Sequence, residues 1–190
     1  MTYIIRRDVK MEMNDLIDKI LNDETKFAGI YDLKATPLIC SELVIQYCEN
    51  NACGKYNANW TCPPGVGRFE DCKKRVESYS KALIFRSEYK VNEWYDYARV
   101  QETIGAHQAN VRRVRELIPK GMDHLILSGG GCVYCEECSY IRKEPCMHPE
   151  IAIPPIESYG LDIFRFTKRN KIIYSAPEGE MYYFGMILFN

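Results

Sequence analysis

The stretch KALIFRSEY, residues 81–89, gives the first indication of the fold. Leu83, Ile84 and Phe85 form a short continuous apolar run, which is typical of a buried strand. Apolar runs of similar length occur in DHLILSG, residues 123–129, and in MYYFGMILF, residues 181–189. We therefore expect these three segments to lie in one central sheet.

The segments between these strands have apolar residues at helical spacing. We predict helices over residues 13–22, 41–50, 69–80 and 91–118, the last one broken near Gly105, and further strands near residues 3–7 and 27–33. Glycine and proline predict a loop over residues 51–68. This order of elements predicts an α/β or α+β fold. We expect a single domain over residues 1–190, with a central mixed sheet flanked by helices and two cysteine-rich metal-binding loops.

Composition and charge exclude several classes of partner. The formal net charge is -1 and the pI is about 6.3, so no nucleic acid or acidic membrane is expected as a ligand. No apolar run has the length needed to cross a bilayer. The first twenty residues carry charges where a secretory leader would be apolar, which predicts a cytoplasmic protein. In that reducing compartment, nine cysteines indicate metal or redox chemistry rather than disulfides.

Eight of the nine cysteines form two groups of four. The downstream group follows the pattern C-x2-C-x2-C-x7-C and consists of Cys132, Cys135, Cys138 and Cys146. The upstream group follows the pattern C-x4-C-x8-C-x9-C and consists of Cys48, Cys53, Cys62 and Cys72. We predict all eight as metal ligands. Cys40 is left over.

The downstream group favours an iron-sulfur cluster. Three cysteines spaced by two residues let one turn of backbone wrap a cluster, and Cys146 follows a loop through Pro145 that can return to the same cluster. Zinc sites more often use two separate cysteine pairs, so zinc is the alternative.

The upstream group matches no common zinc pattern. Glycines and prolines between its members give an irregular, stiffened backbone that lets separated ligands converge. Cys72 falls inside a predicted helix, which makes it the least expected ligand on spacing alone. These features favour a second metal site, and the competing interpretation is cysteines that pack in the core.

The sequence also resembles a known family. The stretches CGKYNANWTCPPGVGRFEDCKKRVESYSKALIF, GGGCVYCEECSYIRKEPCMHPEIAIPPIESYGLDI and YYFGMILF are similar, in the same order, to domain of unknown function family 2284, a family of predicted metal-binding proteins. The resemblance runs from about Leu43 to the C-terminal strand. It implies cysteine ligands at all eight positions, Cys72 included, and iron-sulfur binding. It implies no particular reaction.

Four other residues need an interpretation. His148 is either an iron ligand or proton carrier, or a histidine beside a complete cysteine set, and the second is favoured. Cys40 is expected to be a buried structural thiol. Glu157 and Asp162 either line a site near Cys146 or cap a helix.

Three functional classes follow from these observations. The first is an iron-sulfur protein with two [4Fe-4S] clusters, acting in electron transfer or as a reductase component beside a ferredoxin-like donor or an acceptor enzyme. The second is an enzyme that acts on a small molecule at an open iron of one cluster. The third is a zinc-stabilised binding domain without redox activity. The sequence does not choose an oligomeric state.

Overall fold

The fold is built on a four-stranded sheet. A computed structural model describes residues 13–91 and 97–190, with the side chain of Tyr97 outside the description. The strands are β1 (Thr25–Asp32), β2 (Lys81–Lys90), β3 (His124–Ser128) and β4 (Glu180–Phe189). Their order in the sheet is β1-β2-β4-β3. The strand predicted near residues 3–7 lies outside the described residues.

Five helices accompany the sheet in the described parts of the chain. Helix α1 includes residues 13–20, followed by α2 (Glu42–Glu49), α3 (Phe69–Glu77), α4 (Tyr97–Glu116) and α5 (Ile163–Arg169). Two short 3-10 helices cover Ser139–Arg142 and Glu157–Tyr159. Helix α4 runs through Gly105 without the predicted break, because one glycine costs a helix only about 1 kcal/mol and the flanking turns outweigh it.

The sheet is buried on both faces, which explains the continuous apolar runs. On one face, Ile84 of β2 and Met186 of β4 pack with Phe166 of α5 and Val76 of α3. On the other face, β2 and β4 pack against α4 and α1 through a second cluster of buried side chains that includes Leu83, Phe85, Val111, Ile187 and Ile20. Because alternate residues of a strand point to opposite faces, a strand covered on both sides needs apolar residues at every position.

The prediction of a single-sheet α+β domain is confirmed, but the sheet is antiparallel rather than mixed. All three neighbouring pairs, β1–β2, β2–β4 and β3–β4, are antiparallel. Strands β2 and β3 run in the same direction, as expected for strands joined through a helix such as α4. They are not neighbours, because β4 lies between them and opposes both. The local sequence gives no indication of this insertion.

The long loop after β3 returns to the strand from which it starts. Ser128 donates its N–H to the carbonyl of Pro154 at 2.9 Å, and Ile156 donates to the carbonyl of Ser128 at 3.0 Å. The two ends of residues 129–153 are therefore joined at the end of β3. This segment, which we call the downstream loop, carries four of the cysteines.

Helix α2 is anchored beside the same point. Ser41 donates its N–H to the carbonyl of Gly160 at 2.8 Å, and Asp162 donates to the carbonyl of Ile39 at 2.9 Å. The Ser41 side chain caps α2 by accepting from the N–H of Leu43. The end of α2 and residues 51–67, which we call the upstream loop, are thus held close to the return of the downstream loop.

Candidate metal centre

The four downstream cysteines surround one cavity. Cys132, Cys135, Cys138 and Cys146 all line a space of about 140 Å³. The chain reverses through the 3-10 helix Ser139–Arg142 and Lys143, whose φ of 57° closes a tight turn. The Ser139 hydroxyl donates to the carbonyl of Pro145 at 2.8 Å. This turn brings Cys146 back to the three cysteines that precede it.

The electrostatic effect of this grouping is seen at Cys135. Partial burial raises the pKa of Cys135, and Cys132, Cys138 and Cys146 raise it further, because negative charge on one thiol disfavours charge on the next. A bound cation would reverse that repulsion. The four downstream thiols therefore provide a set of soft ligands that a positively charged metal group would stabilise.

Three of the upstream cysteines share a second cavity. Cys48, at the end of α2, and Cys53 and Cys62, in the upstream loop, line a space of about 370 Å³ together with Glu157. Burial raises the pKa of Cys48 to about 11, with a smaller contribution from Glu157. Burial raises the pKa of Cys62 to about 12. Metal binding here must therefore displace protons from thiols that are neutral at pH 7.

Cys72 does not lie in this cavity. It is on α3, only 4% exposed, in the core cluster that also contains Val76 and Tyr159. Cys72 and Val76 are four residues apart and share the buried face of α3. The neighbouring thiol is that of Cys40, whose pKa is raised to about 11 mainly by burial. The structure thus brings together three of the four predicted upstream ligands and places Cys72 in the core. Cys40, expected to be buried, is half-buried and packs against that core.

The upstream and downstream loops are hydrogen-bonded to each other. The Asn59 side-chain amide donates to the carbonyl of Cys132 at 3.1 Å, and the Cys132 N–H donates to the Thr61 hydroxyl at 3.4 Å. The Trp60 indole N–H donates to the carbonyl of Glu144 at 2.9 Å. Trp60 also packs edge-to-face on Tyr140, with ring centroids 5.0 Å apart. Neither cysteine loop is folded independently of the other.

The two cavities meet at Gly131. A Cβ atom on this residue would lie 3.3 Å from Sγ of Cys62 and 3.2 Å from the Lys55 side chain. The next residue, Cys132, lines the downstream cavity, while Gly131 itself lines the upstream one. A single peptide step therefore separates the walls of the two cavities, and glycine permits that close approach.

Helix α4 holds the start of the downstream loop through two residues to which sequence reasoning assigned no role. Gln108 donates its amide to the carbonyl of Gly131 at 2.7 Å. His107 is fully buried, with one ring nitrogen 3.0 Å from the Ser87 hydroxyl and the other 3.1 Å from the Phe184 carbonyl and 3.3 Å from the Gly129 nitrogen. Burial lowers the pKa of His107 to about 4. The sequence does contain a signal for the burial of His107: its spacing from Val111 and Val114 places all three residues on one helix face.

The remaining candidate residues have separate positions. His148 lines the downstream cavity and packs edge-on against Tyr134, with ring centroids 4.8 Å apart. Asp162 caps α5 by accepting from the N–H of Arg165 at 2.9 Å. Glu157 lines the upstream cavity, beside Cys48 rather than Cys146, and burial raises the pKa of its carboxyl group.

The thiols line their cavities without meeting at one point. Across residues 13–91 and 97–190, no group of three or more histidine, cysteine, aspartate or glutamate side chains converges where a single metal ion would bind them all.

A family model described as predicted metal-binding protein (DUF2284) matches residues 31–189. The chain belongs to this family. The match includes both cysteine loops, strands β2, β3 and β4, and the last two residues of β1. Metal binding is the property that the family description gives, and the candidate centre is the part of the chain that provides ligands for it. No curated protein and no solved structure matches the chain. Among the helices that the structure describes, none is long and apolar enough to span a membrane.

Proposed function

We propose that this protein binds two [4Fe-4S] clusters, one at each cysteine loop, and transfers single electrons between them and a partner protein. The observation that carries the proposal is the pair of adjoining cavities, one lined by four thiols and the other by three. Iron-sulfur clusters supply one-electron chemistry at potentials that depend on burial and hydrogen bonding.

The protein's own residues fit that role in three ways. Cysteine thiolates are soft ligands suited to iron-sulfur clusters. The backbone step at Gly131 brings the two thiol-lined cavities side by side. The bonds from Asn59, Thr61 and Gln108 to the downstream loop fix the cavity walls, and fixed walls limit the rearrangement that accompanies a change of charge.

The downstream cavity also has an exposed apolar rim. Tyr134 is 51% exposed, Ile141 is 56% exposed and Met147 is 53% exposed, and all three line this cavity. Exposed apolar side chains in one area are typical of protein contact sites. The rim supports the docking of a redox partner protein close to the downstream thiols.

The test is metal and sulfide analysis of protein purified without oxygen. We expect about eight iron atoms and about eight sulfides per chain, a broad visible absorbance, and reversible bleaching on reduction. A colourless protein with two zinc ions per chain would refute the proposal and establish the zinc-stabilised domain instead.

Single replacements assign the iron to the two loops. Cys135→Ser should remove about half of the iron and leave the upstream site loaded, because Cys135 belongs to the downstream cavity alone. Cys40→Ala is the matched control, since Cys40 packs against the core. Full iron retention in Cys135→Ser would contradict the assignment of the downstream loop.

A second candidate function is an enzyme that reduces a small molecule at the upstream site. The specific observation in its favour is the three-thiol set with an adjoining cavity of about 370 Å³. An iron that lacks a thiolate ligand can accept a ligand from solution. Spectral changes on adding small molecules to the reduced protein, absent in Cys48→Ala, would favour this candidate over electron transfer alone.

A further inference from the structure

The side chain of Glu157 belongs to the upstream cavity, which among the described residues is lined by three cysteine thiols and no fourth one. Glu157 begins the 3-10 helix Glu157–Tyr159 and lines the same cavity as Cys48, Cys53 and Cys62. Its backbone position is fixed, because Gly160 donates to the carbonyl of Glu157 at 2.8 Å and the Gly160 carbonyl accepts from Ser41 at the start of α2. The hydrogen bond between Ser41 and Gly160 therefore helps to position both Cys48, on α2, and Glu157.

No cation balances this carboxylate within the described chain. Glu157 is half-buried, yet none of the ion pairs found among residues 13–91 and 97–190 includes it. By contrast, Glu88, which is also half-buried, is paired with Arg86. Removing a carboxylate from water without a cation is unfavourable, so a positively charged metal group bound in this cavity would stabilise the ionised form of Glu157.

The alternative fourth ligand, Cys72, is in the wrong part of the molecule. Its neighbours are Val76, Tyr159 and Cys40 in the core under α3, and Asp71 and Arg75 on its own helix. The thiols that raise the pKa of Cys62 are Cys53 and Cys48, and the thiol that raises the pKa of Cys48 is Cys53, so Cys72 is not among them. To reach the cavity, Cys72 would have to turn the buried face of α3 outward.

We infer that Cys48, Cys53, Cys62 and Glu157, rather than Cys72, form the ligand set of the upstream cluster. The inference rests on the proposed function, because it assumes that the cavity holds an iron-sulfur cluster. A carboxylate oxygen is a harder ligand than a thiolate and binds this iron less tightly. The iron beside Glu157 is therefore the one that exchanges its ligand, and small oxygen-donor anions are the class of molecule that would replace the carboxylate.

The experiment compares four variants with the wild-type protein, all purified without oxygen. Glu157→Gln keeps the side-chain shape and removes the charged ligand. Glu49→Gln is its matched control, because Glu49 is an exposed carboxylate next to Cys48. Cys48→Ala removes an inferred ligand, and Cys72→Ala removes the cysteine that we place in the core. The readouts are iron content, electron paramagnetic resonance spectra after mild oxidation, and thermal unfolding.

We expect Glu157→Gln to fall from about eight to about seven iron atoms per chain and to show the resonance of an oxidised three-iron cluster. Glu49→Gln should match the wild-type protein. Cys48→Ala should lose about four iron atoms and Cys72→Ala none, even if Cys72→Ala unfolds at a lower temperature because of the space it leaves in the core.

Two results would overturn the inference. One is a Glu157→Gln protein whose iron content and spectra equal those of Glu49→Gln. The other is a Cys72→Ala protein that loses about four iron atoms while its unfolding remains cooperative. Wild-type protein that holds zinc or no metal would instead refute the proposed function itself, and with it the inference, so the two failures are distinguishable.

Discussion

Acidification from pH 8 to pH 5 should destabilise this protein by about 2 kcal/mol through His107 alone. The ring is fully buried and has a pKa of about 4 in the folded state, against about 6.5 in an unfolded chain. Below pH 6.5 the unfolded chain therefore binds a proton that the folded protein does not. Stability is complete above pH 6.5, decreases as the pH falls, and levels off below pH 4. With these two pKa values, linkage gives a loss of about 2 kcal/mol at pH 5.

The assay is denaturant unfolding at pH 8, 6.5 and 5, without oxygen, for wild-type protein and His107→Gln. Glutamine retains hydrogen-bonding groups toward Ser87 and Phe184 but does not titrate. His107→Gln is therefore expected to be less stable at pH 8 and to lose about 2 kcal/mol less than the wild type between pH 8 and pH 5. His124→Gln, on β3, controls for the number of histidines. Equal losses in wild type and His107→Gln would refute the reasoning.

The remaining predictions concern packing, helix ends and the metal. Gly185→Ala should destabilise the protein by about 1–3 kcal/mol, because a Cβ on this β4 residue would overlap the Phe85 ring. Gly105→Ala, its control within α4, has open space around the added Cβ and should stabilise by about 0.5–1 kcal/mol; denaturant unfolding that ranks the two alike would contradict both. Asp162→Ala should cost about 1 kcal/mol by removing the cap bond to Arg165, measured in the same way. Removal of the metal with a chelator, without denaturant, should lower the melting temperature by about 10 °C, since a tightly bound group contributes about 4 kcal/mol to stability. Calorimetry that gives equal melting temperatures with and without the metal would argue against a coupling between metal binding and folding.

Most elements of the fold were predictable because their signals are local, whereas the short helix α5 was not predicted. The apolar run from Leu83 to Phe85 predicts β2, and the pattern SELVIQYCEN predicts α2 close to its observed bounds. The order of the strands was not predictable, because the position of β4 between β2 and β3 depends on how two faces of the sheet are covered. That information is spread over helices distant in sequence.

The residue types of the candidate site were predictable from the sequence. Which of those residues share a cavity was less predictable. The short spacing from Cys132 to Cys138 leaves the chain few alternatives, and those residues do share a cavity. The long spacing from Cys62 to Cys72 crosses into a helix, where the choice between ligand and core depends on which face α3 buries. Glu157 is about a hundred residues from the thiols beside it, and no local pattern connects them.

The place of β4 in the sheet also affects when the site can assemble on the ribosome. β4 is synthesised after the three other strands that the structure describes, and until it emerges β2 and β3 have no common neighbour in the sheet. His107 likewise has no Phe184 carbonyl to bind. Both cysteine loops are complete in sequence before that moment, but the scaffold that positions them is not. Cofactor insertion is therefore expected to follow translation of β4, and nascent chains stopped before β4 should expose all eight predicted ligands as free thiols.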